Sequence, residues 1–375
     1  MLATLFGVAA VLLLLEVALR FYNPLQARIR GNRIVLATNG SWRIRNDVIR
    51  RLPSEIRITR NSIGFRGAEP TADLDRRLSI VTIGGSTTQC FFLPDDETWT
   101  ARLGKNLEAS FPSIWINNAG LDGHSTHGHL VLLEDIVVGL HPKVAIFLVG
   151  LNDMARASFD EFEAEHVRSG IFFGSVKGFV KSLSPYSDVV ALFPLMYRSY
   201  FAYRLALLSE NIDLRRQGTL DVPEAAHDRA VDEMASAEYL TGHARRLQKI
   251  VDASRRAGIE PIFVTQPLLV GVGTDDVTGV DLARIRVDAE PLQTGQMYWD
   301  AVERYNSVTR RVGREDSLLV IDLARQLPKS SRYFYDFFHY TPDGARAVAD
   351  IVGRALCPTL QATYPEYATQ PCARE

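Results

Sequence analysis

The chain opens on an almost unbroken apolar stretch: from Leu2 to Leu19 the interruptions are Thr4 and Glu16. A helix of that length approaches the short limit for crossing a hydrocarbon core of about 30 Å. A run with one acid and no polar face suits a buried amphipathic helix poorly. A cleaved signal peptide would carry basic residues before the run and small residues at a cut site, whereas here charge begins at Arg20. Residues 1–20 are therefore expected to form one uncleaved transmembrane anchor. Arg20, Arg28, Arg30 and Arg33 follow it, and the positive-inside rule would put that side in the cytoplasm.

Residues 21–75 read as a mixed, β-prone lead-in, in which the alternation of Ile56–Gly67 predicts a strand and a turn ahead of the main domain. Beyond it, short apolar runs alternate with helical periodicities. The runs are Leu78–Ile83, Ile114–Asn118, Val144–Val149, Ile259–Thr265 and Leu318–Ile321. Helical patterns occupy about Thr98–Ser110, Gly128–Leu140, Ser236–Ala257, Tyr298–Val312 and Asp343–Leu356. Strands that are apolar throughout indicate a parallel sheet covered on both faces. Right-handed crossovers then give an α/β, flavodoxin-like three-layer sandwich over residues 76–360, with 361–375 as a C-terminal tail. Ligand chemistry in such a sheet sits at the carboxyl ends of its strands. Two stretches break the rhythm. Residues 159–217, with their aromatic and apolar clusters, are too long for an ordinary connection and read as a helical insertion, a lid or cap. Pro267–Gln296 reads as a polar loop whose Asp275-Asp276 pair forms a solvated turn.

Composition narrows the picture. With 46% hydrophobic residues in 375, a sizeable core is available and a disordered chain is excluded. Lys+Arg 42 against Asp+Glu 44 leaves no global field to draw the protein to nucleic acid. The three cysteines, Cys90, Cys357 and Cys372, are too few for a disulfide framework and lack the paired spacing of structural zinc. Cys357 and Cys372 bracket the tail, where either a closing disulfide or two free thiols fits.

Chemistry concentrates at the predicted strand ends. After Leu78–Ile83 come Gly84-Gly85-Ser86-Thr87-Thr88, where two glycines permit a sharp turn that exposes the Ser86 hydroxyl. By itself this is no more than a Gly-rich turn, and phosphate-loop spacings are absent. A serine nucleophile needs a base, and the base an orienting acid. Asp336 and His339 stand three residues apart just before a Thr-Pro-Asp helix start, so one short segment delivers both. An oxyanion needs donors. Asn118-Ala119-Gly120-Leu121-Asp122-Gly123 follows the second strand and Gly150-Leu151-Asn152-Asp153 the third.

These blocks, GGST, NxGxxG, GxND and DxxH in that order, resemble the four sequence blocks of the SGNH (GDSL-like) hydrolase superfamily, in its membrane-anchored bacterial form, over about Ile80–Leu356. The resemblance implies Ser86 as nucleophile and as oxyanion donor through its N–H. It implies Gly123 and Asn152 as further oxyanion donors, His339 as general base and Asp336 as its orienter. Gly123 is preferred to Gly120 because the family uses the second glycine of NxGxxG. No cofactor and no metal are implied. Gly85 departs from the family's usual aspartate at that place, a residue outside the triad. Family habit also puts the soluble domain on the outer face of the cytoplasmic membrane, against the arginine pattern.

Other constellations rank lower. His124, His127 and His129 beside Asp122 do not share one helix face as metal ligands would. Cys90 lacks a basic setting and reads as a small buried residue. The expected function is hydrolysis of a carboxylic ester, such as an O-acetyl group on envelope carbohydrate or a lipid ester. The alternatives are acyl transfer to or from an envelope glycan, and non-catalytic glycan or lipid binding.

Overall fold

Alternate residues of the apolar runs point to opposite faces of one sheet, and both faces are buried. A computed structural model describes residues 2–21, 27–30, 33–47, 49, 51–155, 183, 186–192, 212–288 and 293–372. Its strands are β1 (Ala27–Arg30), β2 (Arg33–Leu36), β3 (Gly40–Arg45), β4 (Glu55–Arg60), β5 (Arg66–Gly67), β6 (Leu78–Gly84), β7 (Ile114–Asn118), β8 (Val144–Val149), β9 (Glu260–Thr265), β10 (Arg286–Asp288), β11 (Gln293–Thr294) and β12 (Val320–Ile321). Six of them form the central sheet in the order β12-β9-β8-β6-β7-β5. On one face Leu78, Ile80, Ile146 and Val264 pack with Trp99, Leu103, Val348 and Val352 of the helices Trp99–Glu108 and Pro342–Thr363. On the other, Val81, Ile83, Phe147 and Phe263 pack with Val131, Leu247, Val251 and Val312 of the helices Thr126–Leu132, Ala237–Arg256 and Gly295–Glu315. Each large apolar side chain so enclosed contributes about 1.5–3 kcal/mol.

Capping residues set the helix starts. Ser236, Thr294 and Thr341 accept hydrogen bonds from the Tyr239, Met297 and Gly344 amides, and Pro342 occupies the first turn of the last helix. That helix runs to Thr363, and the Cys357–Cys372 disulfide ties the tail back to it. The helix Thr126–Leu132 continues through a π turn, Leu133–Val137, to Leu140. Glu224–Met234 is a further helix, without a counterpart in the periodicities.

The sheet is not wholly parallel. Residues 66–67 lie within the expected lead-in, yet they close the sheet's edge as β5, antiparallel to β7, with Arg66 opposite Asn118. The sheet is thus an α/β sheet, mostly parallel. The alternating Ile56–Gly67 segment holds β4, paired antiparallel with β3 so that Trp42 faces Ile58. Asp275 is not in a solvated turn: it is buried, and its carboxylate accepts from Ser331 N and Oγ and from Thr278 N and Oγ1. Most of the expected 159–217 insertion lies outside the described residues.

The N-terminal apolar run forms the helix Leu2–Phe21. Among the described residues, no helix is long and apolar enough to cross a membrane, so the expected transmembrane span is not supported. The polar end of this helix engages the protein instead. Glu16 pairs with Arg20 and accepts from Ser187 Oγ and the Asp188 and Val189 amides.

Candidate active site

The β6 strand ends where a side chain has no room. A Cβ at Gly84 would lie 2.1 Å from Thr88 Oγ1, and one at Gly85 2.3 Å from Asn152 Nδ2. The chain can therefore turn tightly into the single helical turn Ser86–Gln89, closed by Cys90 in the left-handed region at φ 51°. Ser86 begins that turn, half-buried at the carboxyl end of the central strand. Cys90 is buried and its sulfur contacts the Thr87 carbonyl at 3.3 Å; burial pushes its thiol up to about 11, so it stays protonated.

The loop Phe334–Tyr340 brings the base. Tyr335 N donates to His339 O at 3.0 Å, folding the loop back on itself. Asp336 Oδ1 accepts from the Phe338 and His339 amides at 2.9 and 2.6 Å, and Oδ2 lies 2.5 Å from His339 Nδ1. A carboxylate can only accept, so the imidazole proton sits on Nδ1. Nε2 then faces Ser86 Oγ, 2.8 Å away. Burial alone would raise the Asp336 carboxyl, but the His339 charge and these hydrogen bonds outweigh it and hold the group below the usual aspartate range. Tyr335 stacks on the imidazole, centroids 5.5 Å apart, and fixes its plane.

The two glycines of NxGxxG separate by environment. Gly120 N donates to Asn118 Oδ1, and a Cβ there would strike the Gln89 backbone at 2.3 Å. Gly123 adopts φ 72° with open space beside its Cα, a left-handed conformation that favours glycine. Asn152 Nδ2 donates to His124 O at 3.0 Å, so the loops carrying Gly123 and Asn152 are joined directly. The structure thus brings Ser86, Asp336, His339 and Asn152 to the carboxyl edge of the sheet, with Gly123 on the adjoining loop.

Several supporting residues escaped the sequence reading. Asp153 is fully buried; its carboxylate accepts from Thr126 N and Oγ1 and from Arg246 Nη2, and its Oδ1 lies 3.4 Å from His243 Nδ1. Burial would raise it, yet His243, Arg246 and Thr126 together hold it well below the usual range. Its position after Asn152 was the available signal; Thr126, His243 and Arg246 had none, being joined to it only by the fold. Arg66 is also buried, donating to the carbonyls of Gln89, Cys90 and Leu93 and pairing with Asp95 at 2.7 Å. His124, His127 and His129 are buried, and burial lowers His129 to about 4. Among the described residues no group of three or more His, Cys, Asp or Glu side chains is arranged to hold a metal.

Residues 82–347 match the GDSL-like Lipase/Acylhydrolase family. No curated protein matches the chain. Among solved structures, it is similar to a putative lipolytic protein of the G-D-S-L family from Desulfitobacterium hafniense, at 14% identity and TM-score 0.40, covering 74% of this chain and 99% of that one. It is also similar to an acetylxylan esterase from Geobacillus stearothermophilus, at 14% identity and TM-score 0.41, covering 78% and 96%.

Proposed function

The chain belongs to the GDSL-like lipase/acylhydrolase family and acts on ester bonds, and from that premise we propose a serine esterase that works through an acyl-Ser86 intermediate. One observation carries this reading: His339 bridges Ser86 Oγ at 2.8 Å and Asp336 at 2.5 Å. Ser86 Oγ attacks the ester carbonyl while its proton passes to His339 Nε2, and Asp336 stabilises the imidazolium. The negative charge on the carbonyl oxygen is received by the Ser86 and Gly123 amides and the Asn152 side chain. The alcohol leaves with the His339 proton; water, deprotonated by His339, then releases the acid. Beside Ser86 the cleft is walled by Cys90, Leu93, Tyr335 and Tyr340, which favours a small acyl group such as the acetyl of an envelope carbohydrate.

The reading extends to location: a domain held at a membrane by the N-terminal helix, on the extracytoplasmic side. The exposed Phe6, Val11, Leu13, Leu14 and Phe21 support the attachment, and the Cys357–Cys372 disulfide supports an oxidising compartment. Protease treatment of intact cells reads the side, because an extracytoplasmic domain is digested and a cytoplasmic one is spared.

Substitution tests the chemistry. Ser86→Ala and His339→Ala are each expected to abolish turnover of a small acetyl or butyryl ester while circular dichroism stays native. Turnover surviving in either variant overturns the assignment.

A further inference from the structure

The strand β9 runs directly into a buried amide. Gln266 is 2% exposed, and one side chain of the helix Gly295–Glu315 clamps its main chain. Gln266 N donates to Asn306 Oδ1 at 2.8 Å, and Asn306 Nδ2 donates back to Gln266 O at 3.1 Å. The side chain is fixed as well. A carbonyl can only accept, so the 2.9 Å contact with Pro267 O is made by Nε2, which turns Oε1 the other way. There Oε1 accepts from Thr87 Oγ1 at 3.2 Å. Thr87 is buried and directly follows Ser86 in the helical turn Ser86–Gln89.

Three residues on, the same segment reaches the loop that carries the base. Leu269 N donates to Phe337 O at 2.9 Å, and Phe337 stands between Asp336 and His339 in the chain. Tyr340, next to His339, is buried too; its hydroxyl makes no hydrogen bond among the described residues and faces the Gln266 amide. Residues 266–269 therefore hold the nucleophile turn at one end and the base loop at the other. A single helical turn is not stable by itself, so contacts from outside set the orientation of Ser86. Trp99 Nε1 and Asn118 Nδ2 hold the carbonyls of Thr87 and Thr88, whereas the Thr87 hydroxyl is the tie that runs toward the base loop.

We propose that Gln266 is a positioning residue for the reaction, setting through Thr87 the 2.8 Å separation of Ser86 Oγ and His339 Nε2. The inference rests on the esterase reading of that pair. The serine proton passes along this contact during attack, and a displacement of about 1 Å costs about 10²-fold in rate. A buried hydroxyl deprived of its acceptor turns toward another one, and the turn that carries Ser86 moves with it.

The experiment is steady-state kinetics on p-nitrophenyl acetate, with the rate of fluorophosphonate labelling as a second readout and circular dichroism as the control for folding. Gln266→Leu keeps the volume and removes both side-chain hydrogen bonds. In that variant kcat and the labelling rate should fall about 10- to 100-fold, with KM changed by less than about twofold. Thr87→Val should reproduce the loss, and Thr87→Ser, which keeps the hydroxyl, should restore most of it. The double variant should lose no more than either single one, because the two residues act through one bond. A kcat within about twofold of the wild type in Gln266→Leu or Thr87→Val, a loss carried by KM alone, or losses that add in the double variant overturns the positioning role. Where Gln266→Leu does not fold, Thr87→Val against Thr87→Ser decides alone. A wild-type protein that neither cleaves p-nitrophenyl acetate nor takes the label sinks the esterase reading instead.

Discussion

At Gly85 the family's usual aspartate would not fit without displacing a neighbour. Its Cβ would lie 2.3 Å from Asn152 Nδ2 and 3.1 Å from His124 O, far inside van der Waals contact. Either the side-chain amide moves or the turn does. If Asn152 is the oxyanion donor proposed above, Gly85→Asp is expected to displace it and lower kcat by about 10²-fold, with KM changed little, because such a donor acts on charge that develops in the transition state. Steady-state kinetics on a small acetyl ester decide it, and an unchanged kcat would show that Asn152 is not held by this glycine. Asp336 belongs to the same scale. Replacing it with Asn removes the acceptor that keeps the proton on His339 Nδ1, and kcat should fall by about 10²–10⁴-fold with the fold retained.

Between elements, the buried Asp153 joins the turn after β8 to the start of the helix Thr126–Leu132 and to the helix Ala237–Arg256. Asn152 lies on the first of these elements and Gly123 just before the second, so one carboxylate ties together the loops of the two proposed oxyanion donors. Removing its charge leaves Arg246 buried without its partner, which costs about 3–5 kcal/mol. The pH dependence has a definite sign. Asp153 and Asp336 are both held below the ordinary aspartate range, so each favours the folded state when ionised. That contribution is complete above the ordinary value of about 4 and is lost as pH falls through the lower folded values. Chemical denaturation between about pH 2 and pH 5 should show a shallower loss of stability in Asp153→Asn than in the wild type. A slope as steep as that of the wild type would place the linkage elsewhere. Elements of this kind were readable from sequence where both faces are buried: Val144–Val149 is apolar at every position, and the strand has those bounds. The Glu224–Met234 helix was not readable, because it buries only Val231 and Met234 among its own residues and leaves a weak periodicity.

In the molecule as a whole, the segment before residue 76 is part of the active site's support and not a preface to it. Arg66 grips the carbonyls behind Ser86, and Arg51 donates to the carbonyls of Ser331 and Phe334 on the strap that leads to His339. Arg66→Met strips three buried carbonyls and Asp95 of their donor, and a loss of about 3–5 kcal/mol is expected; thermal unfolding measures it, and a change below about 1 kcal/mol would contradict the role. Local spacing pointed to Ser86, His339, Gly123 and Asn152 as candidates, since each stands in a short block of its own. It was silent on Arg51 and Arg66, whose acceptors are main-chain atoms with no side-chain signature. These long-range ties also govern timing. Ser86 meets His339 across 253 residues and Arg51 meets Ser331 across 280, the slowest class of contact to close. During synthesis the nucleophile turn leaves the ribosome far ahead of its base, so the nascent chain carries an inert hydroxyl. On the proposed mechanism, activation of that hydroxyl waits for the closure that brings His339 to it.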